Sequence, residues 1–369
     1  MNAARPSSFP RPSATDRTGA DAPPVPSPAA RLRRWLTAAE LILLLLLVLA
    51  PWLTTLLDRP FLLDLATRLT ILAMAAVSLN LILGIGGLVS FGHAAYLGIG
   101  AYAVAIPAWH AVYGGADWLA GESGFYHFAL AAALGALFAL LTGLVALRTR
   151  GVHFLMITMA FGQMVYWLLA SLETYGGDDG LTIDVRSVLP GIPLDDPATM
   201  HMLAVAGLLL ALAVFLIIAR SPFGLVLAGA RSNAGRMRAL GHPVFAVRLL
   251  ACVIAGLLAS LAGALMADFT AYVSPAMTDW TRSGELMFMV ILGGAGRPLG
   301  PLTGAAVFVL LEELLSQLTT YWHLPFGLLL IGVALVQARA LARASGAVGR
   351  AGDGGGGGEA PSAAGEESS

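Results

Sequence analysis

Long apolar runs separated by short polar connections fill the chain from about residue 35 to residue 340. An α-helix needs about 20 apolar residues to cross the hydrocarbon core of a bilayer. On this criterion the pattern predicts spans over residues 35–57, 61–83, 84–106, 125–147, 151–171, 201–219, 249–270, 302–318 and 325–337. One further apolar run, Glu285 to Leu292, is too short to cross as a straight helix, and we predict a short or broken helix there.

With that short helix the pattern gives ten crossings, or eight or nine if the two glycine-rich segments described below re-enter the membrane. Composition agrees, because 57% of the residues are hydrophobic, only 12% are charged and the mean hydropathy is +0.79. Such values exclude a soluble globular protein. The predicted fold class is all-α, a polytopic membrane helical bundle of about 8–10 transmembrane helices with broken or re-entrant Gly-rich segments.

Arginines at the ends of the apolar region set the predicted orientation. They flank both ends, as Arg31, Arg33, Arg34, Arg339 and Arg343. By the positive-inside rule the N- and C-termini are predicted to be cytoplasmic. The connection from Leu172 to Thr199 carries six acidic residues and one arginine, and we predict that it is external, as is the segment from Ala271 to Ser283.

Both ends of the chain lack the apolar pattern. Residues 1–34 are rich in Pro, Ala, Ser and Arg, and residues 341–369 include five consecutive glycines. Both are predicted to be disordered cytoplasmic tails. The transmembrane domain is then residues 35–340 of a multi-pass plasma membrane protein, with 220–248 as a cytoplasmic loop.

The charged and reactive residues exclude several functions. All 21 basic residues are arginine, and a chain without lysine has neither a P-loop lysine nor a Schiff base. We therefore predict that the chain is not an enzyme and holds no cofactor, and that any ATP and Mg²⁺ are bound by another chain. The single cysteine and the scattered histidines predict no metal site. A net charge of −1 gives no basis for binding nucleic acid.

Two apolar segments in opposite halves of the chain are interrupted by glycine. The candidate hinge or broken-helix positions are Gly86, Gly87 and Gly92 in the first and Gly293, Gly294, Gly296 and Gly300 in the second. Such pairs indicate a transport site near the bilayer midplane, where free backbone groups can meet a polar substrate. Glycines that merely permit close helix packing are the alternative.

Polar side chains within the apolar segments are candidates for the lining of a substrate pathway. These are Asn80, Ser90, His93, Tyr96, Thr158 and Gln163. His93 and Tyr96 are spaced to share one helical face, although a lone histidine is more often a packing residue. Glu312 and Glu313 interrupt another apolar run, either at membrane depth or at an interface. Asp64 and Arg68 are four residues apart and can pair with each other.

The segment from Arg220 to Arg248 contains five arginines and no acidic residue between two apolar runs. Asn233 is placed to cap a short helix that runs to about Leu240, where Gly241 ends it and Pro243 prevents continuation. A short helix of mixed character suits a groove on a soluble partner. The candidate docking residues are Arg231, Asn233, Arg236, Arg238, Leu240 and Gly241.

Several stretches resemble the permeases of ABC transporters for branched-chain amino acids, of the LivM type. They are SLNLILGIGGLVSFGHAAYLGIGAYAV, LRTRGVHFLMITMAFGQ, YGGDDGLT, SPFGLVLAGARSNAGRMRALGHPVFAVRLLACVIAGLLASLAGAL and MVILGGAGRPLGPLTGAAV, in family order from residue 78 to about 307. The resemblance implies a bacterial inner-membrane importer with a second permease, two ABC ATPase subunits and a periplasmic or extracellular solute-binding protein. It also implies that 220–248 is the loop that couples the ATPases to the pathway.

Two alternatives remain at this point. An ion-coupled secondary transporter of a small polar solute would use the broken segments together with Glu312 or Glu313. A permease of the same ABC class could instead carry urea or a short-chain amide, because similar permeases serve such substrates.

Overall fold

The computed structural model describes residues 28–318 except 116–117, 119, 150 and 192, together with 324, 327–328 and 331–332. Two units are distinguished, Met1–Ala39 and Glu40–Ser369. Most of the predicted tails, and most of the predicted last span 325–337, lie outside the described residues.

The described chain is almost entirely helical. Its helices are α1 (Pro28–Leu57), α2 (Pro60–Asn80), α3 (His93–Tyr113), α4 (Gly124–Ala146), α5 (Val152–Ala170), α6 (Pro197–Arg220), α7 (Pro222–Ala239), α8 (Val244–Thr270), α9 (Trp280–Gly293) and α10 (Gly300–Leu318). A π-helical turn, Leu81–Ile85, extends α2, and short 3₁₀ turns lie at Glu173–Tyr175, Gly177–Asp179 and Pro275–Thr278. Two short strands, β1 (Leu181–Thr182) and β2 (Tyr272–Val273), pair antiparallel. The predicted all-α bundle is confirmed.

Eight helices of the described chain are long and apolar enough to cross a membrane: all of α1 to α10 except α7 and α9. These eight match eight of the nine spans predicted from the sequence. α9 has 14 residues, as expected for a short helix. α1 begins at Pro28, before the predicted start of the first span at residue 35. The division into two disordered tails and a membrane domain stays a prediction.

Helices α2, α3 and α8 form the centre of the bundle. In their most apolar windows 78%, 72% and 61% of the residues are buried, against 28% for α4 and α5. Small residues let these backbones approach closely, as is usual between membrane helices. A Cβ added to Gly100 of α3 would lie only 1.8 Å from the carbonyl oxygen of Ser260 in α8.

The connection from α8 to α9 does not remain at one end of the bundle. The last part of the segment from Ala271 to Ser283 is helical, because Trp280 begins α9, and the external position of the segment stays a prediction. Thr278 and Ser283 are fully buried, and the Ser283 hydroxyl accepts a hydrogen bond from the Ala94 N–H at the start of α3, at 2.9 Å. α9 is therefore a half-length helix that starts inside the bundle.

Arg68 has a different partner from the one predicted. Its guanidinium binds both carboxylate oxygens of Glu312 in α10, at 2.7 and 2.9 Å, and no pairing with the exposed Asp64 is observed. Sequence spacing alone favours pairs within one helix, whereas here the packing of α2 against α10 supplies a better-placed acid.

Candidate functional site

The end of the bundle where α2 ends and α8 begins, called here the α7 end, carries the basic segment. The sequence predicted a loop with one short helix, but α7 is helical from Pro222 to Ala239. Ser221 caps its start by accepting a hydrogen bond from the Gly224 N–H at 3.2 Å. The predicted loop is therefore reduced to a few residues on either side of this helix.

A kink divides α7 at Asn233, whose φ of −155° and ψ of 95° are not helical. The Asn233 side-chain oxygen accepts a hydrogen bond from the Arg236 N–H at 2.9 Å, which is the geometry of an N-cap. The second half then ends before Gly241, which has a φ of +84°. The predicted capped helix and its glycine terminus are both confirmed.

The five arginines of this segment fall into different environments. Arg236 and Arg238, in the second half of α7, are exposed, as are Leu240 and Gly241 after it. Arg231, although exposed over much of its length, reaches back to the bundle and donates a hydrogen bond from Nη1 to the Gly84 carbonyl oxygen. The first half of α7 is thus attached to the bundle, and the second half presents a basic surface.

Arg231 also lies against the first glycine-rich segment. A Cβ on Gly87 would be 2.5 Å from the Arg231 Cγ, and the φ of Gly87 is +66°, so glycine is required there for space and for conformation. Arg248, at the start of α8, donates from Nη2 to the Ala230 carbonyl oxygen at 2.8 Å. Two arginines therefore hold α7 through backbone carbonyl groups.

The two glycine-interrupted segments meet at the α7 end. A Cβ on Gly84 would lie 2.3 Å from the Gly296 nitrogen, so the two backbones touch. Asn80 is completely buried; its Oδ1 accepts from the Gly296 N–H at 2.8 Å and its Nδ2 donates to the Arg297 carbonyl oxygen at 2.8 Å. The contact lies at the end of the α2 span. A transport site near the bilayer midplane stays a prediction.

An ion pair that the sequence interpretation missed lies beside this contact. Arg297 Nη2 is 2.5 Å from Glu40 Oε1, and the Glu40 side chain is 4% exposed. Glu40 is an acidic residue within an apolar run, and that position was the available signal. The pair joins the α9–α10 connection to α1. We call Asn80, Gly84, Arg231, Gly296 and Arg297 the junction.

The predicted hinge glycines divide between two places. Gly86 and Gly87 follow the π-turn of α2, and Gly92 precedes α3; Gly293 ends α9, Gly300 begins α10, and Gly294 and Gly296 lie between them. A Cβ on Gly92 would be 2.1 Å from the Thr158 carbonyl oxygen, so the start of α3 packs directly on α5. Whether these positions act as hinges stays a prediction.

The predicted pathway residues do not surround one cavity. His93 Nε2 hydrogen bonds to Ser78 at 2.8 Å, and the Tyr96 hydroxyl bonds to Thr142 at 3.0 Å, so both rings are buried between helices. Asn80 belongs to the junction. Ser90, outside any helix, is also buried.

Thr158 and Gln163 lie on α5 beside the ends of the broken segments. The Thr158 hydroxyl accepts from the Phe91 N–H at 3.3 Å, and Gln163 donates to Asp279 at 2.9 Å. Burial acts to raise the pKa of Asp279, but hydrogen bonds from Thr281 and Gln163 outweigh it, and the pKa lies below its usual value. A role in lining a pathway stays a prediction for all six residues.

No group of three or more His, Cys, Asp or Glu side chains that could hold a metal ion occurs among the residues that the structure describes. The arrangement at the α7 end is suited to mechanical contact rather than to chemistry. It consists of backbone hydrogen bonds and close packing that connect an exposed helix to α2 and to the α9–α10 connection.

The apolar helices define the chain as an α-helical, multi-pass membrane protein. Residues 61–337 match the family described as the permease component of the branched-chain amino acid transport system, and the chain belongs to this family. The resemblance drawn from the sequence is thereby confirmed.

Two curated relatives have names that agree with this family. The chain is 28% identical over 292 residues to the high-affinity branched-chain amino acid transport system permease protein LivM of Salmonella typhimurium, a match that covers 73% of this chain and 67% of the relative. It is 27% identical, with the same coverage, to the protein of that name from Escherichia coli. No solved structure shows significant similarity to the chain.

Proposed function

We propose that this chain is the membrane-spanning permease subunit of an ABC importer of the bacterial inner membrane that takes up branched-chain or related amino acids. Separate ATPase subunits dock on the exposed half of α7 and drive the cycle. A second permease subunit completes the pathway, and an external solute-binding protein delivers the substrate. Both termini face the cytoplasm.

The observation that carries this proposal is the hydrogen bond from Arg231 to the Gly84 carbonyl oxygen. Through it a displacement of α7 reaches the end of α2, and through Gly84 and Asn80 it reaches the α9–α10 connection. Packed helices transmit such displacements as rigid bodies, because well-packed contacts do not deform continuously. The absence of lysine supports placing ATP hydrolysis in a partner.

The test is reconstitution of the complete complex in liposomes, with ATP hydrolysis and amino acid uptake measured together. Reversing the charge at both Arg236 and Arg238 should leave membrane insertion intact and separate hydrolysis from uptake. Arg148→Glu is the matched control, because Arg148 is an exposed arginine in the α4–α5 connection, outside α7. Normal coupled transport by the double variant would remove α7 from the docking role.

An ion-coupled secondary transporter is the second candidate, and its support is the pair of acidic residues in α10. Glu312 is bound to Arg68 and Glu313 accepts from Gln317 at 3.1 Å, so both acids already have partners. Saturable uptake by this chain alone, driven by an ion gradient and abolished by Glu312→Gln, would favour this candidate over the importer.

Substrate choice within the importer class is tested by offering the complex different loaded binding proteins. The proposal expects leucine, isoleucine or valine to stimulate hydrolysis, whereas stimulation by urea or a short-chain amide alone would reassign the substrate.

A further inference from the structure

A cavity of about 170 Å³ lies between α2, α3, α8 and α9, towards the end of the bundle opposite α7. Its lining residues are Arg68, Leu72, Ala94, Leu97, Met266, Thr270, Met277, Arg282, Glu285, Leu286 and Met289. Two other cavities of the described bundle, one between α4 and α8 and one between α2, α4, α6 and α8, are lined only by apolar residues and glycine. The charged residues distinguish this cavity from both.

Its polar and apolar residues are segregated. The side chains of Arg282 and Arg68 are 50% and 32% exposed, so the charged groups lie on the open side. Leu286 and Met289 are almost completely buried and form part of an apolar floor. The cavity is therefore amphipathic, with a charged rim and an apolar interior.

The position of these charges argues that the rim does not face lipid. Arg68 lies eight residues beyond the start of α2 at Pro60, which corresponds to a depth of about 12 Å along the helix. Ionisable groups at membrane depth face a water-filled pathway or another protein, because contact with hydrocarbon is costly. The exposed parts of Arg68 and Arg282 therefore face water or the second permease subunit of the proposed complex, and not lipid.

The charges of the rim form pairs of opposite sign. Arg282 Nη1 is 2.8 Å from Glu285 Oε2, and Arg68 binds Glu312. A partly exposed pair three residues apart on one helix contributes little to stability, so folding alone gives little reason for Arg282 and Glu285 to be there. A guanidinium beside a carboxylate is complementary to a ligand that carries both an ammonium and a carboxylate on one carbon.

We propose that this cavity is a transit site for an α-amino acid zwitterion with an aliphatic side chain. Arg282 binds the ligand carboxylate, Glu285 binds its ammonium, and the side chain enters the floor formed by leucine and methionine residues. The proposal rests on the proposed import function and names the chemical class that this part of the pathway accepts.

The dimensions and composition of the floor support this assignment. An engineered apolar cavity of about 150 Å³ accommodates benzene, so a volume of this order is enough for a branched four-carbon side chain. Three of the lining residues are methionines: Met266, Met277 and Met289. Methionine is unbranched and adaptable, which suits a floor that receives differently branched side chains.

The site is tested by substrate protection of an introduced thiol, without the binding protein. The single native cysteine, Cys252, is replaced by alanine, and Met277→Cys places a thiol in the lining. In the assembled complex a membrane-impermeant thiol reagent should modify this position, and saturating leucine should slow the modification about tenfold, as expected for about nine-tenths occupancy. Thr270→Cys provides a second position if Met277→Cys does not assemble.

Four ligands separate the chemical requirements. Leucine should protect, whereas glycine lacks the side chain, isocaproate lacks the ammonium and isoamylamine lacks the carboxylate, and none of these three should protect. Asp195→Cys is the control, because Asp195 is 92% exposed in the connection before α6 and should react equally with and without leucine. Equal modification with and without leucine at both lining positions, or equal protection by glycine or isocaproate, would overturn the proposal.

A second measurement distinguishes this site from a structural ion pair. Arg282→Gln and Glu285→Gln should each raise the leucine concentration needed for half-maximal protection about tenfold or more, because each removes a charged hydrogen-bond partner. Leu210→Trp, which fills the apolar cavity lined by Leu210, should leave protection unchanged. Unchanged protection in both charge variants would leave the rim without a binding role.

The proposed import function is checked separately on the unmodified complex, through stimulation of ATP hydrolysis by the loaded binding protein. If the loaded binding protein stimulates ATP hydrolysis but leucine does not protect the introduced thiol, the amino acid site in this cavity is refuted and the import function stands. Protection without stimulation refutes the coupling to the ATPase and keeps the amino acid site.

Discussion

The Asn80 side chain bonds to the backbone of two consecutive residues in the α9–α10 connection: it accepts a hydrogen bond from the Gly296 N–H and donates one to the Arg297 carbonyl oxygen. One buried amide thereby attaches the end of α2 to the α9–α10 connection. Asn80 is thereby fixed to Gly296 and Arg297, which lie 216 and 217 positions further along the chain, without any strand pairing.

Replacing Asn80 by alanine should weaken this attachment. The Gly296 N–H and the Arg297 carbonyl lose their side-chain partner; because Gly296 is exposed and Arg297 is partly buried, the cost is that of two ordinary hydrogen bonds, about 1–3 kcal/mol in total. We expect a lower temperature of thermal unfolding of the purified complex and less uptake per ATP hydrolysed. Asn80→Asp is the informative second variant, since it keeps an acceptor for Gly296 but loses the donor. Stability equal to wild type in both variants would contradict the role assigned to Asn80.

Gly84→Ala should disturb the same contact by steric overlap. The added Cβ would lie 2.2 Å from Asn80 Oδ1 and 2.3 Å from the Gly296 nitrogen, and both are held in place. Overpacking of this kind costs about 1–3 kcal/mol. Gly284→Ala is the matched control, because a Cβ at this buried glycine meets nothing nearer than 4.0 Å. The two variants are compared by thermal unfolding and coupled transport.

Arg231→Ala should affect coupling more than stability. It removes the hydrogen bond to the Gly84 carbonyl, but α7 remains attached through Arg248. We expect the complex to assemble and bind ATP, with uptake per ATP hydrolysed reduced about tenfold for a lost interaction of about 1.4 kcal/mol. Arg231→Lys keeps the charge and should recover only part of the uptake per ATP hydrolysed, because lysine lacks the long planar guanidinium of arginine.

Retention of wild-type coupling in Arg231→Ala would show that movement of α7 reaches the bundle by another route. Arg220→Ala serves as the comparison, because Arg220 is an exposed arginine at the end of α6 and lies outside the junction.

The Glu40–Arg297 pair should show a measurable interaction energy in a double-mutant cycle. The Glu40 carboxylate is almost fully buried and the side chain of Arg297 is 32% exposed. The pair is therefore intermediate between a surface ion pair and a buried one. Each single alanine variant should be destabilised by about 1–3 kcal/mol, and the double variant by less than the sum. Additive losses would mean that the two side chains act independently.

Asn233→Ala should loosen the second half of α7. The variant loses the cap on the Arg236 N–H, and such a loss costs about 1 kcal/mol. Faster amide hydrogen exchange from residue 234 to residue 239 is the expected readout, without a change in the bundle. Asn233→Asp and Asn233→Ser keep a capping oxygen and should restore slow exchange.

The eight helices long enough to cross a membrane were predictable from the sequence, because each needs only a continuous apolar run of sufficient length. The cap at Asn233 and the stop at Gly241 were predictable for a similar reason, since both depend on neighbouring residues. Even the half-length α9 was visible, because its apolar run is too short to cross the bilayer.

Contacts between distant segments were not predictable in the same way. The partner of Arg68 is Glu312, whose identity depends on how α2 and α10 pack, whereas sequence spacing pointed to Asp64. The buried partners of His93 and Tyr96 are likewise set by tertiary packing. Sequence identified the two glycine-rich segments as a pair, but the side chain that joins them, Asn80, was placed in the pathway group instead.

The kink at Asn233 divides α7 into one half that is attached to the bundle and one half that is exposed. The half before it is fixed by carbonyl contacts and must keep its register with the bundle. The half after it touches solvent and is free to change its side chains without disturbing the membrane helices. On the docking role proposed for this half, exchanging residues 234–241 between permeases should change which ATPase subunits the complex accepts while the membrane helices stay as they are.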